Sequence, residues 1–279
     1  MNNFMIISRN RASLVKNAVD FALQKSDIQI HVMDMHSEYA PLVKYLKSLE
    51  NNSRVTVNYL ENLGPRKVWL NKEFERIAKS SNGFFLSDGD IDYSDTSIEI
   101  FDYFIKLSKE FPGMRKIGSA LRLDDLPSNS LKSKNISDGE LSNWDSRRFI
   151  DRNLFLAPAD TQFAYYPRYT ELFYMWPAIR VAGEYQIRHV PWYYNNENMN
   201  EEEKYYAQTA VMAGQAGTSH ERGVVPGDVD PESLFTIRFY RVIRALLLTT
   251  PNLGSRILAL IIKFRNKDSY HTKEFMSNH

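Results

Sequence analysis

Cysteine is absent from the 279 residues, which excludes a disulfide framework, a thiolate zinc site and a thiol nucleophile. A reducing interior suits such a chain. No run of about 18 apolar residues occurs: the longest candidate, residues 245 to 262, is broken by Pro251, Asn252 and Arg256, so no membrane-spanning helix is expected. The first residues, MNNFMIISRNR, lack a small-residue cleavage site after their apolar run and read as a first strand of a cytoplasmic chain. Net charge is nearly absent too, at +1, but that sum conceals a partition. Residues 234 to 267 carry Arg238, Arg241, Arg244, Arg256, Lys263, Arg265 and Lys267 with no acid, a charge of +7. Residues 268 to 279 add −1, so residues 1 to 233 sum to −5.

What is present is the composition of a globular protein, 43% hydrophobic and 25% charged, which rules out disorder and fibrous classes. Two periodicities alternate along the first 120 residues. Apolar runs at Phe4–Ile7, Ile28–Met33, Val55–Tyr59 and Phe84–Leu86 predict strands, and helical spacing predicts helices over Leu14–Leu23, Pro41–Leu49 and Arg66–Ser80 between them. Such a β-α series predicts a mostly parallel sheet with helices on both faces, whose ligands gather beyond the carboxyl ends of the strands. A helix is expected at Ile98–Lys109 and strands at Lys116–Leu123, Gln162–Tyr166, Ile179–Ala182 and Ile187–Tyr194. Residues 128 to 153 read as a long surface loop and residues 200 to 212 as a helix. The expected organisation is a catalytic domain over 1–213, a linker over 214–233 and a basic amphipathic helical tail over 234–279.

The polar residues after the strands carry the chemistry. Asp88-Gly89-Asp90-Ile91-Asp92 places three carboxylates where mutual repulsion calls for a cation or donors. Oxygen ligands of this kind suit Mg²⁺ or Mn²⁺ on a substrate diphosphate. A calcium loop is excluded, because the sixth position from Asp88 is Tyr93 where a glycine is required. Asn62-Leu63-Gly64-Pro65-Arg66-Lys67 opens a helix whose N-terminus and Arg66 would attract an anion, without the spacing of a Walker loop or a G-x-G-x-x-G. Asp34 either accepts hydrogen bonds from a ribose or base or caps a helix.

These motifs, taken in order, resemble those of GT-A fold glycosyltransferases of the family-2-like, bacterial surface-polysaccharide kind. The residues that carry the resemblance are Ile6 to Arg11, Val32 to Ser37, Asn62 to Gly64 and Phe85 to Asp90, with weaker continuations at Lys116–Pro127, Asp160–Ala164 and Arg188–Tyr193. The resemblance implies a nucleotide-diphospho-sugar donor, a UDP-sugar first, and a divalent metal on the D-x-D. By position, Asp90, Asp88 and His189 are then the metal candidates, and Ser8, Arg9, Asn10, Asp34, Gly64, Arg66 and Asp88 the nucleotide candidates. The E-D pair in which such enzymes commonly place their base is missing; Asp160 is the first substitute, followed by Asp125 and Asp124. The run Glu201-Glu202-Glu203 reads as a solvated helix start. The implied partner is a glycan or lipid-linked acceptor. The basic tail suggests an anionic membrane surface at the inner face of the plasma membrane, or else helices packed back on the domain; nucleic acid is not expected. The competing readings are a sugar nucleotidyltransferase, which would want glycine after the first strand, and a non-catalytic membrane-surface protein on a transferase fold.

Overall fold

The computed structural model describes residues 2–64, 67–127, 136–138, 140–144, 148–151, 153–160, 162–169, 177–194, 198–212 and 234–265. The expected linker over 214–233 and residue Arg66 therefore lie outside the described residues. Nine strands form one sheet in the order β3-β2-β1-β4-β9-β6-β10-β8-β7. They are β1 (Asn2–Ser8), β2 (Ile28–Met35), β3 (Val55–Leu60), β4 (Phe84–Asp88), β6 (Lys116–Ser119), β7 (Phe149–Asp151), β8 (Leu154–Leu156), β9 (Ala164–Tyr166) and β10 (Ala178–Val181). The pairs β1–β2, β2–β3, β1–β4 and β6–β10 are parallel. The fold is thus mixed α/β, with a mostly parallel central sheet flanked by helices.

The helices are α1 (Ala12–Leu23), α2 (Ala40–Leu49), α3 (Lys72–Lys79), α4 (Ile100–Glu110), α5 (Glu201–Met212), α6 (Leu234–Thr249) and α7 (Pro251–Arg265). Alternation along each strand sends side chains to opposite faces. Phe4, Ile6 and Phe85 meet Val15, Val19, Phe101 and Phe104 of α1 and α4, while Met5, Phe84 and Leu86 meet Trp69, Phe74 and Ile77 on the α3 side.

Where the structure departs from the expected elements, the causes are local. The helix expected from Arg66 is a 3₁₀ turn at Lys67–Leu70 followed by α3, because the Asn71 side chain accepts from the backbone N–H groups of Glu73 and Phe74 and caps a new start. The loop expected over 128–153 contributes Phe149–Asp151, which pairs with β8 at the sheet edge. The strand expected over Ile187–Tyr194 is cut to β11 (Arg188–His189), since Pro191 lacks a donor and the chain turns into a 3₁₀ segment. β9 enters antiparallel between β4 and β6.

Candidate functional site

The carboxyl ends of β1, β2 and β4 form one rim, and two non-glycine residues there adopt the left-handed conformation: Asn10 with φ 51° and His36 with φ 58°. Asn10 can hold it because a short polar side chain bonds locally. Its Oδ1 accepts from the N–H groups of Glu38 and Tyr39, and its Nδ2 donates to Thr209 at 3.0 Å. Ser8 donates to Asp34 at 3.4 Å, and Asp34 accepts from the Ser37 N–H and hydroxyl. Ser8, Asn10 and Asp34 are buried. Three of the residues expected to touch a nucleotide are thus held by hydrogen bonds at the rim. Arg9 remains at the surface of this group: Nη1 donates to the Met35 carbonyl at 3.2 Å, and its buried Nε has no hydrogen-bond partner.

Asp90 follows a glycine that the geometry demands. A Cβ on Gly89 would collide with the Ile7 carbonyl, so only glycine lets the turn after β4 lie against β1. Two residues on, β5 (Ile91–Asp92) pairs antiparallel with β11, and the Val190 N–H donates to the Asp90 carbonyl at 3.0 Å. This short ribbon delivers His189, whose Nε2 lies 3.4 Å from Asp90 Oδ2. Arg11 Nη1 reaches the same oxygen at 3.3 Å. The other carboxylate oxygen, Oδ1, is buried and without a partner, as is His189 Nδ1. Burial opposes ionisation of Asp90, but His189 and Arg11 outweigh it and hold the carboxyl below its usual range. Burial likewise pulls His189 down, and the Asp90 charge more than restores it, so its net shift is upward.

Glu202 and Glu203 are buried, correcting the expectation of a solvated helix start. Glu203 grips Arg11 through two bonds, 2.9 and 2.7 Å, in the planar fork that guanidinium and carboxylate share. Tyr206 lies with its ring 3.4 Å from the Arg11 guanidinium carbon. Glu202 accepts from the Ser13 N–H and hydroxyl at 2.9 and 2.6 Å, which caps the start of α1. Helix α5 thus clasps the whole β1–α1 turn. Burial works against the Arg11 charge, yet Tyr206, Glu203 and Asp90 together raise its pKa.

The expected bases separate into two places. Asp125 accepts from Arg188 Nε and from the Tyr193 hydroxyl, both at 2.5 Å; burial pushes its pKa up, these two bonds push it further down, and the net shift is downward. A carboxylate so held is a poor base. Asp124 is 71% exposed beside Arg122 at 3.2 Å. Asp160 lies instead near Lys116, whose Nζ donates to the Asp160 carbonyl at 3.4 Å and to Tyr166 at 3.3 Å. Lys116 is fully buried, and that desolvation lowers it to about 7, against the raising influence of the Asp160 and Asp88 charges. Lys116 thus lies beside Tyr166, on the α3 side of the sheet, within reach of the charges of both Asp160 and Asp88. Gly64, with φ 94°, donates its N–H to Asn62 Oδ1 and turns the chain out of β3.

Among the described residues no three His, Asp or Glu side chains converge as a ready-made metal site. The partnerless Asp90 oxygen still fits a hard divalent ion that takes one or two protein carboxylates and completes its shell with substrate phosphate. Sequence reasoning missed Arg11, Glu203 and Lys116. Glu203, Tyr206 and Ala210 are buried at three- and four-residue spacing, a signal that three adjacent glutamates obscure.

Neither protein-family models nor curated proteins give a match. Solved structures do. The mannosyltransferase PcManGT from Pyrobaculum calidifontis, in complex with GDP-Man and Mn²⁺, is 10% identical over 96% of this chain and 76% of its own, with a TM-score of 0.44. S. aureus TarS 1-349 is 9% identical over 89% of this chain and 73% of its own, TM-score 0.45. The galactosyltransferase LgtC, with donor and acceptor sugar analogs, is 7% identical over 59% of this chain and 57% of its own, TM-score 0.36.

Proposed function

We propose that the chain is a metal-dependent glycosyltransferase of the GT-A type, moving a sugar from a nucleotide-diphospho-sugar to a glycan or lipid-linked acceptor. The observation that carries this is Asp90: a carboxylate at the carboxyl rim of a parallel sheet, held ionised by Arg11 and His189, with one buried oxygen left for a cation. Asp90 and Asp88 are the residues that would hold Mn²⁺ or Mg²⁺, with His189 behind Asp90. When bound, the ion neutralises charge on the departing diphosphate. Arg9, with its partnerless Nε at the same rim, is suited to a phosphate oxygen. Asp160 is the proposed base for the acceptor hydroxyl, since Asp125 is committed to Arg188 and Tyr193. A UDP-sugar donor and a role in bacterial surface-polysaccharide assembly follow the resemblance of the strand-end motifs.

The test is a thermal-shift and calorimetric screen of nucleotide sugars with and without Mn²⁺, because a ligand bound only by the native state raises its stability. At least one nucleoside diphospho-sugar is expected to bind in a metal-dependent way, and Asp90→Asn to abolish that dependence. Binding that ignores both the metal and the substitution would remove the basis of the proposal. Release of pyrophosphate from a nucleoside triphosphate and a sugar phosphate would favour a nucleotidyltransferase instead.

A further inference from the structure

Helices α6 and α7 pack on each other and on the sheet layer. On the inner side, Ile243, Leu247 and Leu258 join the main core cluster with Phe111, Met114 and Ile150. The Gly113 N–H donates to the Ser255 hydroxyl at 3.1 Å, and a Cβ on Gly113 would strike the Ser255 backbone. A Cβ on Gly254 would likewise crowd the backbone of Leu246 and Leu247, though less severely. Arg244 is turned inward, with its guanidinium carbon 5.6 Å from the Phe149 ring centre.

The outer side carries large apolar groups into solvent. Val242 is 61% exposed, Leu248 46%, Leu253 53% and Leu260 55%; among the described residues only Tyr59 and Leu141 are comparable large apolar side chains in solvent. Leu253, Arg256 and Leu260 are spaced by three and four residues, so they share one face of α7, and Lys263 continues that spacing. On α6, Arg238 stands four residues before Val242, again the spacing of one face. Leucine alternating with arginine suits a helix lying in the plane of an interface, with apolar groups in the headgroup boundary and cations against lipid phosphates.

We propose that this outer face of α6 and α7 docks on an anionic lipid surface. The charge selects the occupant: residues 234 to 267 carry +7 with no acid, or +6 without the inward-turned Arg244. A second copy of the chain would bring two such faces into repulsion, and nucleic acid gives exposed leucines nothing to bury against. Neither helix crosses the bilayer, since no described helix is long and apolar enough. The inference goes beyond the transferase reading and needs no turnover to be tested.

The test is flotation of the full-length protein with vesicles of phosphatidylcholine alone or mixed with phosphatidylglycerol, at low and high salt. Flotation is expected with the mixed vesicles only, weakening as salt rises. Leu253→Ser/Leu260→Ser is expected to lower partitioning on the order of tenfold, and Arg256→Gln/Lys263→Gln to lower it on anionic vesicles, with melting temperatures near that of the parent. Val242→Ser/Leu248→Ser gives a second apolar pair. Failure to float, equal flotation on both vesicle types, or binding unaffected by all three pairs overturns the proposal. So does unfolding of both apolar pairs, which would make the face core, or a dimer by light scattering that the leucine substitutions dissolve.

Discussion

Arg11 is where the charges of the rim meet: one guanidinium serves Asp90, Glu203 and Tyr206 while almost wholly shielded from water. A buried ion pair adds little over a well-packed apolar pair, but removing one partner strands the other's charge. Glu203→Gln, which leaves Arg11 its longer contact to Asp90, is therefore expected to destabilise the protein by about 3 kcal/mol in urea denaturation, and Arg11→Met to cost more, because it strands Glu203 and Asp90 together. A loss confined to a few tenths of a kcal/mol would show that α5 is held by something else. Lys116 makes a separate prediction. Its pKa in the folded chain is lowered from the ordinary 10.5 to about 7, so between those values the unfolded chain carries a proton that the folded chain has released. Stability contributed through this group must then rise with pH across that window. The difference in unfolding free energy between the parent and Lys116→Met should accordingly shift in the parent's favour by a few kcal/mol from pH 7 to 10. A flat difference would mean that the lysine keeps its proton in the fold.

At the level of elements, periodicity makes the first half of the chain legible. β1 to β4 and α1 to α3 alternate with enough residues each for the two- and 3.6-residue repeats to separate, and the carboxyl rim follows from their order. The strands that complete the site are shorter than any periodicity can resolve. β5 and β11 have two residues each, yet their pairing is what sets His189 against Asp90. β7 and β8 have three residues apiece, too few for a repeat to show, and β9 reverses direction inside the sheet, a matter of tertiary pairing alone. The D-G-D turn is legible as chemistry, but the need for its glycine emerges only from the contact with Ile7. Gly89→Ala should push the turn off β1, costing about 1–3 kcal/mol by chemical denaturation and abolishing metal-dependent nucleotide-sugar binding. Retained metal dependence in this variant would show that Asp90 tolerates displacement and would weaken its assignment.

For the whole molecule, the near-zero net charge resolves into an acidic body of −5 that holds the rim carboxylates and a basic helical pair that covers part of the core. Charge sorting alone suggests a separable tail. Packing argues the other way, because Ile243, Leu247 and Leu258 are each buried to within 1% among residues of α4, β7 and their neighbours. Burying a side chain of that size stabilises by about 1.5–3 kcal/mol, so the three together contribute roughly 4.5–9 kcal/mol. That is comparable with the entire stability of a typical domain, about 5–15 kcal/mol. Truncation after residue 233 is therefore expected to yield a protein that melts far below the full chain and exposes apolar surface to a hydrophobic dye. A truncated protein that melts within a few degrees of its parent would instead establish the helices as an appendage, and nucleotide-sugar binding by that fragment would locate the whole donor site in residues 1–233.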